Sequence, residues 1–215
     1  MKCNQGLTVL KDTNIAQGAE QVKEQKKEDS VTNQIEALLL EKRRIFLCAQ
    51  ITDESVSEVI RKLWYLESKD ANKPILLIIN SPGGSTSAGF SLWDQVKMLT
   101  APVTTLVTGL AASMGSLLSL VAKPGRRFAT PFAKIMIHQP LISGVIQGQA
   151  TDLEIRAKEI LKMRDQIIDI YAEATGKSKE EIAKVIDRDT WFDAEEAKKF
   201  GLIDEIVSDY KSLGF

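Results

Sequence analysis

The segment Lys73-Pro-Ile-Leu-Leu-Ile-Ile-Asn-Ser-Pro-Gly-Gly84 decides the fold class. Ile75–Asn80 is a continuous apolar run rather than an alternating one, which is how a strand covered on both faces of a parallel sheet is written. Asn80-Ser81-Pro82-Gly83-Gly84 then leaves that strand and enters a helical pattern, Ser85–Leu99. Two glycines in such a turn let backbone N–H groups approach a ligand closely and point at an oxygen. A plain strand-to-helix connection is the other use of the same residues.

Outward from this unit the chain alternates short apolar runs with helical periodicity. Arg44–Ile51, Val103–Thr108 and Ala133–His138 read as strands. Asp53–Ser68 reads as a helix with Val56, Val59, Ile60 and Leu63 on one face. Ser113–Val121 reads as a short helix, and Thr151–Thr175 as a long one ended by Gly176. Ser178-x-x-Glu181 and Asp193-x-x-Glu196 are capping boxes that open two further short helices, with Gly201 after the second. This βαβ alternation predicts an α/β domain with a mostly parallel core. Residues 1–30 differ: Gly18–Ser30 is polar, mixed in charge and without apolar periodicity, which predicts a flexible segment. Order is expected from Val31, with an apolar helix patch at Ile35–Leu40, so residues 31–215 form one domain. There is no internal repeat.

Composition excludes several function classes. The 215 residues carry 28 basic and 29 acidic side chains, with no basic stripe. The cluster Lys123, Arg126 and Arg127 flanks a Pro-Gly turn, so nucleic acid is not an expected partner. Cys3 and Cys48 are far apart, and with a single histidine the chain offers no zinc-type ligand set and no disulfide framework; no metal or cofactor is expected, and a reducing cytoplasmic setting fits. No Walker-type phosphate loop is present, so ATP binding is not expected here. Residues 98–122 lack charge over a length that could span a bilayer. Pro102, Gly109, Gly115 and many Ser and Thr residues there suit a strand, a turn and a short helix instead, so no membrane is expected.

The single histidine, His138, closes the run Ala133–Pro140, and Ser113 lies in Gly-Leu-Ala-Ala-Ser-Met-Gly-Ser (109–116). A serine hydroxyl needs a base to take its proton, and imidazole suits that task near neutral pH. Ser113 is placed where a strand meets a helix N-terminus, which favours developing negative charge. The context is not G-x-S-x-G, because Ala111 stands at the first glycine. An acid that would orient the imidazole is open among Asp152, Asp165, Asp169, Asp187, Asp189 and Asp193. Asp165 and Asp169 rank low on a solvated helix face, while Asp187 and Asp189 lie in a break beside Trp191 and Phe192.

Asn-Ser-Pro-Gly-Gly (80–84), Ala-Ala-Ser-Met-Gly (111–115), Met-Ile-His-Gln-Pro (136–140) and Gly-Gln-Ala-Thr-Asp (148–152) resemble the ClpP family, the proteolytic subunit of caseinolytic protease. The likeness continues through Ala194-Glu-Glu-Ala197 and Gly201-Leu-Ile-Asp204 and covers about residues 40–207. It implies a crotonase-like fold with a protruding handle helix, seen here at 151–175. It implies a serine endopeptidase with Ser113 as nucleophile, His138 as base and Asp189 as orienting acid. Gly84 and Met114 match the backbone donors of an oxyanion hole. Gly83, Ser85, Leu141 and Ile142 would contact substrate, with Leu141–Gln147 an edge strand that pairs with the peptide backbone. Two stacked heptameric rings, and an AAA+ unfoldase delivering unfolded polypeptide, are implied as well. Leu141–Gln147 is longer than the family's usual run, and Leu76 and Ile78 stand where many relatives place tyrosines used in partner docking. These departures lead to the expectation of weak docking, or of a mixed ring with a paralogue. An acyl-CoA enzyme of the crotonase type, a non-catalytic ring subunit and a membrane-anchored protein are the rivals. The complete set of triad residue types argues against the first two.

Overall fold

A computed structural model describes residues 31–141 and 148–213. The expected flexible segment 1–30, and the expected edge strand beyond Leu141, including Ile142, lie outside the described residues. The chain falls into two compact units, Met1–Lys42 and Arg43–Phe215. In the first, residues 31–41 are helical (α1). All the strands among the described residues belong to the second.

That unit is built on seven strands: β1 (Arg44–Leu47), β2 (Ile75–Ser81), β3 (Val103–Ala112), β4 (Arg127–Ala129), β5 (Lys134–Ile137), β6 (Thr190–Phe192) and β7 (Glu205–Ile206). Their order is β1-β2-β3-β4-β7, with β5 beside β3 and β6 beside β5. Every pairing is parallel except β5 with β6. Ile75 to Ile79 are all at most 1% exposed, as an unbroken apolar strand requires.

The helices are α2 (Asp53–Lys69), α3 (Thr86–Met98), α4 (Met114–Ser119), α5 (Ala150–Thr175), α6 (Lys179–Val185) and α7 (Ala194–Phe200). Helix α2 starts from a capping box in which Thr52 and Ser55 satisfy each other's backbone N–H, and it buries Val56, Val59, Leu63 and Leu66. The 3-4-3 spacing is the apolar stripe of a helix lying on a sheet, with Leu66 taking the place expected for Ile60. The Asp193–Glu196 box at α7 is complete, whereas at α6 Ser178 accepts from the Glu181 N–H without the reciprocal bond. Helix α5 has 26 residues and buries only Ile167, Ile168 and Tyr171. Its first ten residues, 150–159, are all exposed.

Strand β3 departs from expectation most. Gly109 marks the predicted end, but the strand continues to Ala112 across a bulge: Ile79 pairs with Val107, whereas Ser81 pairs with Ala111. Gly109 takes φ +72, and a Cβ there would lie 2.9 Å from the Asn80 Oδ1. The same oxygen accepts from the Leu110 N–H at 3.1 Å, replacing the ladder bond that the bulge removes. The bulge re-aims the strand, so that Thr105–Val107 pair with β4 and Leu110–Ala112 pair with β5. Strand β1 is shorter than expected, with only Ile51 rejoining the sheet as an isolated bridge to Gly84. Strands β4, β6 and β7 are too short to carry a sequence period. Residues 98–122 divide among the end of α3, β3 and α4. No helix among the described residues is long and apolar enough to cross a membrane.

A buried ion pair closes the sheet's far side. Arg127 is 6% exposed, and its Nε contacts Asp204 Oδ2 at 3.1 Å while Nη1 donates to the carbonyls of Ala174 and Gly201 at 3.0 and 3.1 Å. It thereby satisfies the orphan carbonyl groups at the ends of α5 and α7.

Candidate active site

Neighbouring strands end side by side. Ala112 is in register with Met136, so Ser113 and His138 leave the carboxyl edges of adjacent parallel strands. The Ser113 N–H donates to the Met136 carbonyl at 2.9 Å, which fixes the two edges to each other. On β6 the antiparallel register Ile135–Phe192, Met136–Trp191 and Ile137–Thr190 runs one step further to set Asp189 opposite His138. Gln139 secures that step: its N–H donates to the Ile186 carbonyl at 2.7 Å and its Nε2 to the Asp187 carbonyl at 3.0 Å.

His138 therefore bridges two partners. Its Nε2 lies 2.8 Å from Ser113 Oγ, and its Nδ1 lies 3.1 Å from Asp189 Oδ1. A carboxylate can only accept, so Nδ1 carries the proton, and Nε2 of the neutral ring accepts from the Ser113 hydroxyl. The imidazole is mostly enclosed, at 17% side-chain exposure, while Asp189 is 61% exposed. Asp187, the rival acid, is occupied by Gln139 and Arg188 instead. Asp165 and Asp169 remain on α5, where Asp169 pairs with Lys179.

Ser113 is one of two non-glycine residues with positive φ among the described residues, at φ 54 and ψ −122, and it forms the N-cap of α4. This is a strained strand-to-helix turn of the kind that exposes a nucleophile. Gly83 lies against it: a Cβ on Gly83 would be 2.6 Å from the Ala112 oxygen and 2.8 Å from the Ser113 Cβ. The bridge between Ile51 and Gly84 is made by the Ile51 N–H to the Gly83 carbonyl (2.9 Å) and the Ser85 N–H to the Ile51 carbonyl (2.8 Å). That parallel pattern uses neither polar group of Gly84. Met114 is the first residue of α4, where backbone N–H groups have no partner within the helix. Gly84 and Met114 both line the cavity that holds Ser113 and His138.

That cavity has a volume of about 360 Å³, and much of its remaining wall is apolar: Met136 from β5, Pro140 and Leu141 from the histidine loop, and Ile160, Met163 and Ile167 from α5. Leu141 is 77% exposed at its mouth. Gly83 and Ser85 do not reach the wall. Gly83 spends its N–H on Ser81 Oγ and its carbonyl on Ile51, while Ser85 caps α3. Among the described residues no three His, Cys, Asp or Glu side chains gather as a metal site.

Two residues of the site had no signal in the sequence. Ser116 Oγ donates to the Ser113 carbonyl at 2.7 Å and lies 2.6 Å from the Tyr171 hydroxyl. Tyr171 is 1% exposed, and burial pushes its phenol far above the ordinary value against a smaller opposing effect from the Ser116 bond. The period of α5 places Tyr171 on the packed face with Ile167 and Ile168, but nothing in the sequence pairs it with Ser116.

A serine hydroxyl, an imidazole and a carboxylate in line at the carboxyl edge of a mostly parallel sheet is the arrangement used by serine hydrolases. The profile of the Clp protease family matches residues 25–210. The chain is 61% identical over 183 residues to "ATP-dependent Clp protease proteolytic subunit 1" of Protochlamydia amoebophila, covering 85% of this chain and 89% of that one. Proteins of the same name from Chlamydia abortus and Chlamydia pneumoniae are 59% and 62% identical, covering 86% and 83% of this chain and 97% and 94% of theirs. The chain belongs to the Clp protease family and is a serine peptidase of the Clp system.

Proposed function

We propose that Ser113 is the nucleophile, His138 the general base and Asp189 the acid that orients it. The observation that carries this is His138, the only imidazole in the chain, held between Ser113 Oγ and Asp189 Oδ1. His138 Nε2 takes the Ser113 proton as Oγ attacks a peptide carbonyl carbon. The carbonyl oxygen becomes an oxyanion facing the Gly84 and Met114 N–H groups; a donor in this role is worth about 3 kcal/mol of barrier. The imidazolium gives its proton to the leaving amine as the C–N bond breaks, and water then resolves the acyl-enzyme by the same route in reverse. Asp189 holds the Nδ1–H tautomer and stabilises the imidazolium without accepting the proton. The mechanism calls on no metal or cofactor.

The substrates in this reading are unfolded polypeptides and short peptides. In this reading the peptide lies in the cavity between Leu141 and Gly84, and pairing through its backbone reads no particular sequence. The words "ATP-dependent" in the relatives' names support delivery by an AAA+ Clp unfoldase, since this chain has no phosphate loop of its own. The exposed start of α5, residues 150–159, suits a contact between stacked heptameric rings, formed by this chain alone or mixed with a paralogue. Leu76 and Ile78 are buried in β2 and offer no hydroxyl for docking, which favours the mixed ring. The compartment in this reading is the cytoplasm.

The test is hydrolysis of a short hydrophobic fluorogenic peptide by the assembled protein beside Ser113→Ala. Activity that disappears in the variant is the expected result. Activity that survives on purified material would remove Ser113 as nucleophile and the mechanism with it.

A further inference from the structure

We propose that Tyr171 and Ser116 are positioning residues for the oxyanion site: their hydroxyls form a buried relay that pins the Ser113–Met114 peptide group and so aims the Met114 N–H. This rests on the reading above, in which that N–H meets the oxyanion.

The relay has a defined direction. Ser116 Oγ has one proton and donates it to the Ser113 carbonyl at 2.7 Å, so in its 2.6 Å contact with Tyr171 the phenol O–H is the donor. Both hydroxyls are buried, with Ser116 at 0% and Tyr171 at 1% exposure, and the raised phenol keeps its proton throughout the working range. The Ser113 carbonyl also accepts from the backbone N–H groups of Ser116 at 3.0 Å and Leu117 at 3.3 Å. The hydroxyl is a third donor on an oxygen that an ordinary helix start supplies with backbone donors alone.

The peptide group that ends in this oxygen begins the helix at the Met114 N–H. A trans peptide is planar, so the C=O and N–H point in opposite directions and turn together. Holding the Ser113 oxygen toward the helix holds the Met114 N–H toward the cavity. The need for such a hold is local, because φ 54 at Ser113 is sparsely populated for a non-glycine residue and persists only where its surroundings over-determine it. Tyr171 is in turn anchored in α5, where Thr175 Oγ1 donates to its carbonyl at 2.7 Å. Helix α5 therefore shapes the cavity wall through Ile160, Met163 and Ile167 and sets the oxyanion donor through Tyr171. A second hydroxyl chain serves as an internal control: Thr105 Oγ1 donates to the Ser119 carbonyl and Ser119 Oγ to the Ser116 carbonyl, both at 2.7 Å, without touching the Ser113–Met114 peptide.

The experiment is phosphonylation of the full-length chain, assembled as the wild type is, by a fluorophosphonate, with the adduct read on this chain by intact mass. The rate constant kinact and the inhibition constant KI are measured for Tyr171→Phe, Ser116→Ala, the double variant, Ser119→Ala and Ser113→Ala. Ser116→Ala is expected to lower kinact about ten-fold and Tyr171→Phe about three-fold, less than outright loss of a donor because the N–H is loosened, not removed. KI stays within about two-fold, since ground-state binding does not need the oxyanion donor. The double variant should match Ser116→Ala, because Tyr171 acts only through Ser116. Ser119→Ala should lower Tm and leave kinact at the wild-type value. Wild-type kinact in both relay variants, with Ser113→Ala unlabelled, overturns the relay and leaves the nucleophile standing. So does a double variant whose losses multiply, or a kinact loss in Ser119→Ala that matches Ser116→Ala. Labelling and peptide cleavage that persist in Ser113→Ala overturn the reading beneath it.

Discussion

Gly83→Ala tests whether the nucleophile turn is held from behind. The added Cβ meets the Ala112 oxygen at 2.6 Å, the Ser113 Cβ at 2.8 Å and the Met114 nitrogen at 3.1 Å, at a backbone φ of +91. Two of those atoms are backbone, so relief cannot come from a side-chain rotation. Bringing the 2.6 Å approach out to an ordinary 3.4 Å contact moves the Ser113 turn, or the Gly83 loop, by about 0.8 Å. A misplacement near 1 Å costs about 10² in rate, or about 2.7 kcal/mol of barrier. The left-handed φ adds about 1–2 kcal/mol to the cost of folding, for a Tm drop of about 2–8 °C in a chain of this size. The assay is peptide turnover per active site, with sites counted by fluorophosphonate labelling, beside a thermal melt. The expected result is a kcat about 10²-fold lower on protein that remains folded and assembled. A kcat per labelled site equal to wild type, whatever the Tm, would refute the claim that this loop sets the serine's position.

Asp189→Asn should lower kcat by about 10³–10⁴ while Tm shifts little, because the amide no longer fixes the Nδ1–H tautomer and Asp189 is 61% exposed. A loss under ten-fold in steady-state turnover would assign the orienting role elsewhere. Asp204 tests the sheet's far edge. Burial alone would raise its carboxyl, but the hydrogen bonds and charge of Arg127, with the Gly125 N–H, outweigh that and hold it below the ordinary value. Its stabilisation is therefore present above the ordinary carboxylate value near 4 and is lost as pH falls through the lower folded value. Asp204→Asn should lower Tm at neutral pH, by about 2–3 kcal/mol in stability, and flatten the acid limb of Tm against pH relative to wild type. Parallel acid limbs in the two proteins would show that this pair does not govern acid sensitivity.

The strands and helices with a full period were legible from the sequence. The apolar run of β2, the stripe of α2 and the Gly176 stop of α5 each state their element locally. What escaped was decided between elements. Gly109 reads as a terminator because glycine ends strands, yet here it makes a bulge whose missing bond comes from Asn80 on the next strand. The short strands β4, β6 and β7 exist through their neighbours. The choice of acid shows the same division: composition and spacing left six aspartates open, and family resemblance pointed to Asp189. The physical reason is the β5–β6 register, which has no local sequence trace. Ser113 and His138 were legible as residue types. Their distance was not, because it follows from two parallel strands ending in register. Tyr171 and Ser116 meet through the packing of α5 on α4, which no spacing along the chain encodes.

The absence of a G-x-S-x-G motif has a physical account. In such a turn the glycines on either side of the serine leave room for a strained backbone. Here Gly115 keeps the second position, where a Cβ would lie 3.0 Å from the Ser81 oxygen. The first position is Ala111, fully buried in β3. It is tolerated because the crowded side of the Ser113 turn faces another loop, and the residue that must lack a side chain there is Gly83. Gly89 on α3 makes the matching concession on the far side, where a Cβ would strike the Met114 side chain. The steric requirement of the nucleophile turn is thus distributed over β2's exit loop, α3 and α4, so substitutions at Gly83 and Gly89 bear on Ser113 and Met114 as directly as changes beside the serine itself.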